Sequence, residues 1–130
     1  MTDKRRTTAA LVLGLLAAAL LAQNADAQRD EQRRSSANFM VPWCQKFLAS
    51  SKGGDHGEAF DRGVCAGVIR GLMYMTELLP PHLRRCLPDG VTNGQMMRVV
   101  VAYIERRPER MHEDFRKLAI EAAHEAWPCN

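Results

Sequence analysis

Residues 91–108 read VTNGQMMRVVVAYIERRP, and this stretch decides the fold. Thr92 is a good N-cap, Gln95 stands at the N3 position, and Val91 and Met96 occupy the two positions of a hydrophobic staple. Met97, Val100, Val101 and Ile104 recur at helical spacing and make one apolar face. Arg106 and Arg107 close the helix where positive charge suits its dipole. Pro108, tolerated in the first turn of a helix, is expected to open the next one with Glu109 beside it. Beyond it Met111, Phe115, Leu118, Ala119, Ala122 and Ala126 keep the helical spacing as far as Pro128.

Working back towards the N-terminus, Pro88-Asp89-Gly90 is a turn, because proline presets φ and glycine admits positive φ. An earlier helix begins at Asp55, with Glu58 at capping-box spacing, and stops at Pro80-Pro81. Its expected core stripe is Val64, Val68, Gly71, Leu72, Met75 and Leu79. The first helix of this series spans about Phe39 to Ser51. It carries Phe39, Met40, Trp43, Phe47 and Leu48 on roughly one side, with Pro42 near its start, and Ser50-Ser51-Lys52-Gly53-Gly54 breaks it. Strand signals are nearly absent. Amphipathic helices with short connections predict an all-α, compact bundle of four helices or slightly more.

Cys44, Cys65, Cys86 and Cys129 are the four cysteines, and an even count in a short exported domain reads as two disulfides. No CxxC pair exists for zinc or redox chemistry, and the intervals are 20 residues or more. Four cysteines permit three connectivities. If the last two helices form a hairpin, Cys129 returns towards Cys86; the same reasoning pairs Cys44 with Cys65, and helix geometry favours this arrangement.

The N-terminus carries an export pattern. Lys4, Arg5 and Arg6 precede an unbroken apolar run from Ala9 to Ala22, and Ala25-Asp26-Ala27 supplies small residues for cleavage after Ala27. The run is 14 residues long, short of the roughly 20 that a membrane span needs. The expected organisation is a signal peptide over residues 1–27, a flexible polar leader over 28–37 and a helical domain over 38–130. Cleavage lowers the formal charge from +3 to +2, too near neutral to point to nucleic acid.

Chemistry-bearing constellations are missing. His56, His82, His112 and His124 show no metal-ligand spacing, and no nucleophile with a base and orienting group is visible. No catalysis, cofactor or metal is expected. Gly67 and Gly71, four apart on the second helix, let another helix approach closely, either within the monomer, the favoured reading, or across a dimer. Methionines 73, 75, 96, 97 and 111 are read mainly as core filling. The connection Pro80, Pro81, His82, Leu83, Arg84 and Arg85 is stiff and charged, which suits either partner recognition or a solvated connector.

Taken in order, several elements resemble the Tai family, the immunity proteins of type VI secretion amidases. They are Cys65-x-Gly67-x-x-x-Gly71, Cys86-Leu87-Pro88-Asp89-Gly90-Val91-Thr92, Gln95, Val99-Val100-x-x-Tyr103, Pro108-Glu109-x-x-x-His112 and Trp127-Pro128-Cys129. The likeness runs from about Cys44 to Cys129. It implies a periplasmic helical protein that binds a secreted peptidoglycan amidase and blocks its active-site cleft, often as a homodimer, without turnover. A periplasmic chaperone of stress protection, or an orphan relative with a structural binding role, is the alternative reading.

Overall fold

The structure, a computed structural model, describes residues 2–49, 56–75, 78–80, 84 and 86–129. These form α1 (Thr2–Ser35), α2 (Ala37–Ala49), α3 (His56–Met75), α4 (Asn93–Glu105) and α5 (Phe115–Ala126), with a 3₁₀ turn at Pro108–Arg110. No β-strand occurs among the described residues, and the class is all-α. The chain divides into two units, Met1–Arg33 and Arg34–Asn130. In the first, Leu16, Leu20 and Leu21 of α1 are exposed, and Arg33 pairs with Asp30 at 3.0 Å. Among the described residues no helix is long and apolar enough to cross a membrane.

In the second unit the segment read first behaves as its residues require. The Thr92 hydroxyl accepts a hydrogen bond from the Gln95 amide at 3.2 Å, and Met96, Met97, Val100, Val101 and Ile104 are all buried. They pack with Phe115, Leu118, Ala119, Ala122 and Ala123 of α5 in one core, to which α2 adds Met40, Val41 and Cys44 and α3 adds Cys65 and Ile69. Each large apolar side chain buried here contributes roughly 1.5–3 kcal/mol from water exclusion. The chain then folds back on itself: the Cys86 amide donates to the Trp127 carbonyl at 2.9 Å, so α4 and α5 form a hairpin. The bridges are Cys44–Cys65 and Cys86–Cys129, with Cα separations of 5.3 and 5.0 Å. Gly90 sits at φ +85°, the left-handed region that its turn demands.

Four expectations are corrected. The helix expected to open at Pro108 begins only at Phe115, because the Asp114 carboxylate caps it, accepting from the amides of Arg116 at 2.8 Å and Lys117 at 3.4 Å. Residues 28–35 of the expected flexible leader lie in α1, and Ser36 and Ala37 are buried. The reason is a backbone junction: the Ala37 amide donates to the Glu113 carbonyl at 2.9 Å and the Asn38 amide to the Met111 carbonyl at 2.8 Å. These are orphan donors of a helix start, and satisfying them lets α2 begin before Phe39. Pro42 therefore lies inside α2 rather than at its start, where it removes one intrahelical bond.

The fourth correction concerns the rotation of α3. Of the expected stripe Val64, Val68 and Leu72 do pack against the core, but Gly71 and Met75 are exposed, and Cys65 and Ile69 are the residues buried at its centre. The disulfide to Cys44 ties Cys65 against α2, which turns the helix by about one residue from the face that periodicity alone selected. Asp55, the expected cap of this helix, lies outside the described residues.

Candidate partner-binding surface

The rotation of α3 determines what its outer face offers. Gly67 and Gly71 were expected to admit a neighbouring helix, foremost within the monomer. Both are exposed, and among the described residues nothing beyond the local backbone of α3 lies within 4 Å of the position a Cβ would take at either. Close packing within the chain is thereby corrected. Further along the same helix the large apolar side chains Tyr74 and Met75 are exposed, and Leu78 follows beyond its end. Solvent contact on this scale, at the point where the chain leaves α3, is the kind of surface that partners cover.

The connection singled out from the sequence starts there. Pro80 and Arg84 are described and exposed; Pro81, His82 and Arg85 lie outside the described residues. The Arg84 amide donates to the Pro80 carbonyl at 3.0 Å, and its guanidinium Nε donates to the Leu79 carbonyl at 3.3 Å. The Arg84 carbonyl in turn lies 2.7 Å from His124 Nδ1 on α5. Two residues later Cys86 is bridged to Cys129. The C-terminal root of the connection is therefore held to the end of α5 by a histidine contact, a backbone hydrogen bond and a covalent clip. Anchored roots of this kind limit the entropy a loop loses when it binds.

A second polar feature joins the 3₁₀ turn to α4 and α5. Arg110 donates to Glu113 at 2.6 and 2.9 Å and to Glu121 at 2.7 and 3.1 Å. The Tyr103 hydroxyl donates to Glu121 at 3.1 Å, and Lys117 reaches Glu113 at 2.7 Å. The Arg107 guanidinium lies 3.8 Å from the Tyr103 ring centroid and pairs with Glu125 at 3.0 Å. Hydrogen bonds from Arg110, then from Lys117, hold the Glu113 carboxyl down to about 2. Glu121 is lowered chiefly by Arg110, whereas burial pushes the Tyr103 phenol up. Each shifted group already has its partner inside the network, so the cluster acts as a brace on the hairpin. The i, i+3 and i, i+4 spacings of Arg110, Glu113 and Lys117 are readable in the sequence; the contact with Glu121, eleven residues away, is tertiary.

Among the described residues, no three His, Cys, Asp or Glu side chains converge as a metal ion requires. No curated protein and no solved structure matches this chain. The model of one family, described as Rap1a immunity proteins, matches residues 36–129, from the buried Ser36 at the start of the packed unit to the second cysteine of the surface bridge. With that match covering most of its length, the chain belongs to the Rap1a immunity protein family.

Proposed function

We propose that this chain is a periplasmic immunity protein of type VI secretion that binds a secreted peptidoglycan amidase and occludes its active-site cleft. The observation that carries this reading is the family match over residues 36–129. The export pattern of residues 1–27 supports the compartment, and two disulfides suit an oxidising one. An inhibitor of this sort needs a surface held rigid before contact rather than a reacting group. The contact of Arg84 with His124 in the Pro80–Arg85 connection, and the exposure of Tyr74, Met75 and Leu78 at the end of α3, support placing that surface here.

The test is calorimetric titration of the processed protein against a type VI secreted peptidoglycan amidase, any encoded beside its gene being tried first, with peptidoglycan cleavage followed in parallel. Tight binding with loss of cleavage supports the role; absence of both overturns it. In the same assay Arg84→Ala with Arg85→Ala is expected to weaken binding about tenfold or more, the usual scale for arginines at an interface centre. Unchanged affinity with intact helicity removes the connection from the interface. The exposed Phe60, Tyr74, Met75 and Leu78 also give the chaperone reading its one structural support. Suppressed aggregation of unrelated proteins, without amidase binding, would favour that reading.

A further inference from the structure

The outward face of α3 carries an apolar pattern that reads the same in both directions. Phe60, Gly63, Gly67, Gly71 and Tyr74 lie within about 40° of one line along the helix, at roughly 100° per residue. All five are exposed, and the line runs opposite the buried Cys65 and Ile69. Counted outward from Gly67, a glycine stands four residues away on each side and an aromatic ring seven. Ala59 and Met75, both exposed, mirror each other at eight. No Lys, Arg, Asp or Glu stands on the line. Phe60 is 66% exposed and Tyr74 74%, although Phe60 is held edge-on to Trp43 of α2 with ring centroids 6.2 Å apart. Among the described residues nothing beyond the local backbone of α3 lies within 4 Å of where a Cβ would stand at the three glycines.

A glycine inside a helix costs stability unless another backbone has to come close, and the chain itself brings none here. The mirror order says what does. A twofold contact uses one patch on both molecules, so the patch must be complementary to itself. Turned about an axis through Gly67, this one is: Phe60 falls opposite Tyr74 of the second copy, Gly63 opposite Gly71, and Gly67 opposite its own equivalent. With no charged residue on the line, like charge does not meet like. The four rings offer roughly 400–700 Å² at these exposures. Stable interfaces begin near ~1,200 Å², and Ala59, Met75 and the glycine backbones extend the contact towards that size. We propose that this face binds a second copy of the chain, α3 packing antiparallel on α3 about Gly67. The seam takes Tyr74 and Met75 from the toxin surface proposed above and leaves it Leu78 and the Pro80–Arg85 connection. It does not rest on the toxin reading.

Sedimentation of the processed protein over a range of concentrations is expected to show a dimer that dissociates on dilution. A monomer at every concentration overturns the seam. Gly67→Glu sets two carboxylates face to face on the axis and is expected to weaken self-association about 100-fold or more. Its monomer should keep its helicity and melt no lower than the parent monomer, because glutamate is the better helix residue. Unchanged self-association in a folded Gly67→Glu protein overturns the seam in favour of another face. The register is tested separately with Gly63→Cys and Gly71→Cys, their native bridges checked by mass spectrometry. Oxidation is expected to link the two variants when they are mixed and neither one to itself. Gly63→Cys linking to itself means a parallel pair and overturns the arrangement, as does a dimer without the mixed link. Amidase binding, whichever way it falls, alters none of these outcomes, so the seam and the toxin reading fail independently.

Discussion

Cys44 and Cys65 are both completely buried, while Cys86, 21 residues further along the chain than Cys65, stands exposed at the surface. The inner bridge joins two helices through the core and sets which way α3 faces. The outer one clips a connection to the end of α5, beside the hydrogen bond from Cys86 to Trp127. The same covalent bond thus serves packing in one half of the domain and loop placement in the other. The difference follows from where the sulfurs sit, since a buried crosslink also fills volume and a surface one mainly restricts the unfolded chain.

Replacing both inner cysteines by alanine should give the largest loss. Chain entropy alone contributes about 3 kcal/mol, and two buried sulfur-sized voids add about 1–2 kcal/mol. The outer pair closes the longer interval, 43 residues against 21, so entropy alone ranks it higher by about 0.6 kcal/mol. Denaturant unfolding of the two double variants decides the matter. A greater loss for C44A/C65A means that packing dominates; the reverse order would leave only loop closure.

Reduction probes the same contrast without mutation. Under native conditions a dithiol should open Cys86–Cys129 first, because Cys86 is exposed and Cys129 only half-buried, and Cys44–Cys65 only as the core opens. Alkylation and mass spectrometry of partly reduced samples give the order. Equal rates would show that the core opens as readily as the surface.

The charged brace makes the hairpin half sensitive to acid. Glu113, Glu121 and Asp114 are all held below their ordinary values in the folded protein, chiefly by Arg110 for the first two and by Arg116 for Asp114. Carboxylates lowered on folding add stability that is present above the unfolded value near 4.5 and is lost as pH falls through the folded one, about 2 for Glu113. Stability should therefore decline between those limits. Arg110→Ala should lower the melting temperature at neutral pH by a few degrees and flatten the acid dependence, as read by thermal melts across pH. A variant with the parent's acid profile would show the brace to be energetically idle. The smallest effect is expected from His124→Ala, within about 0.5 kcal/mol in global stability. Its consequence should appear as faster amide exchange at Arg84 and Cys86, without a change in the inner half.

The helix from Asn93 to Glu105 was legible because its signals are local: a capping hydroxyl, an apolar period and the residues after it. The two disulfides were legible as an even cysteine count for the same reason, since that count rests on residue order alone. The start of α5 was missed although Asp114 is an ordinary capping residue, because Pro108 offered an earlier start of equal local merit. Beside that cap the amides of Ala37 and Asn38 donate to the carbonyls of Glu113 and Met111, chain segments more than seventy residues apart, and no local pattern shows that junction. The candidate surface divides in the same way. The stiff, charged Pro80–Arg85 connection could be read from its residues, but its attachment to His124 and Trp127 could not.

What the residues determined by themselves was the all-helical class, the Thr92 cap and the turn at Gly90. These depend on hydrogen bonds and side-chain periods within a few residues of each other. Only the tertiary structure decided the choice of disulfide pairing, the rotation of α3, the burial of Ser36 and Ala37 and the brace on Glu121. Each of those depends on which distant groups compete for the same donors and the same space, and that competition is settled only when the helices pack.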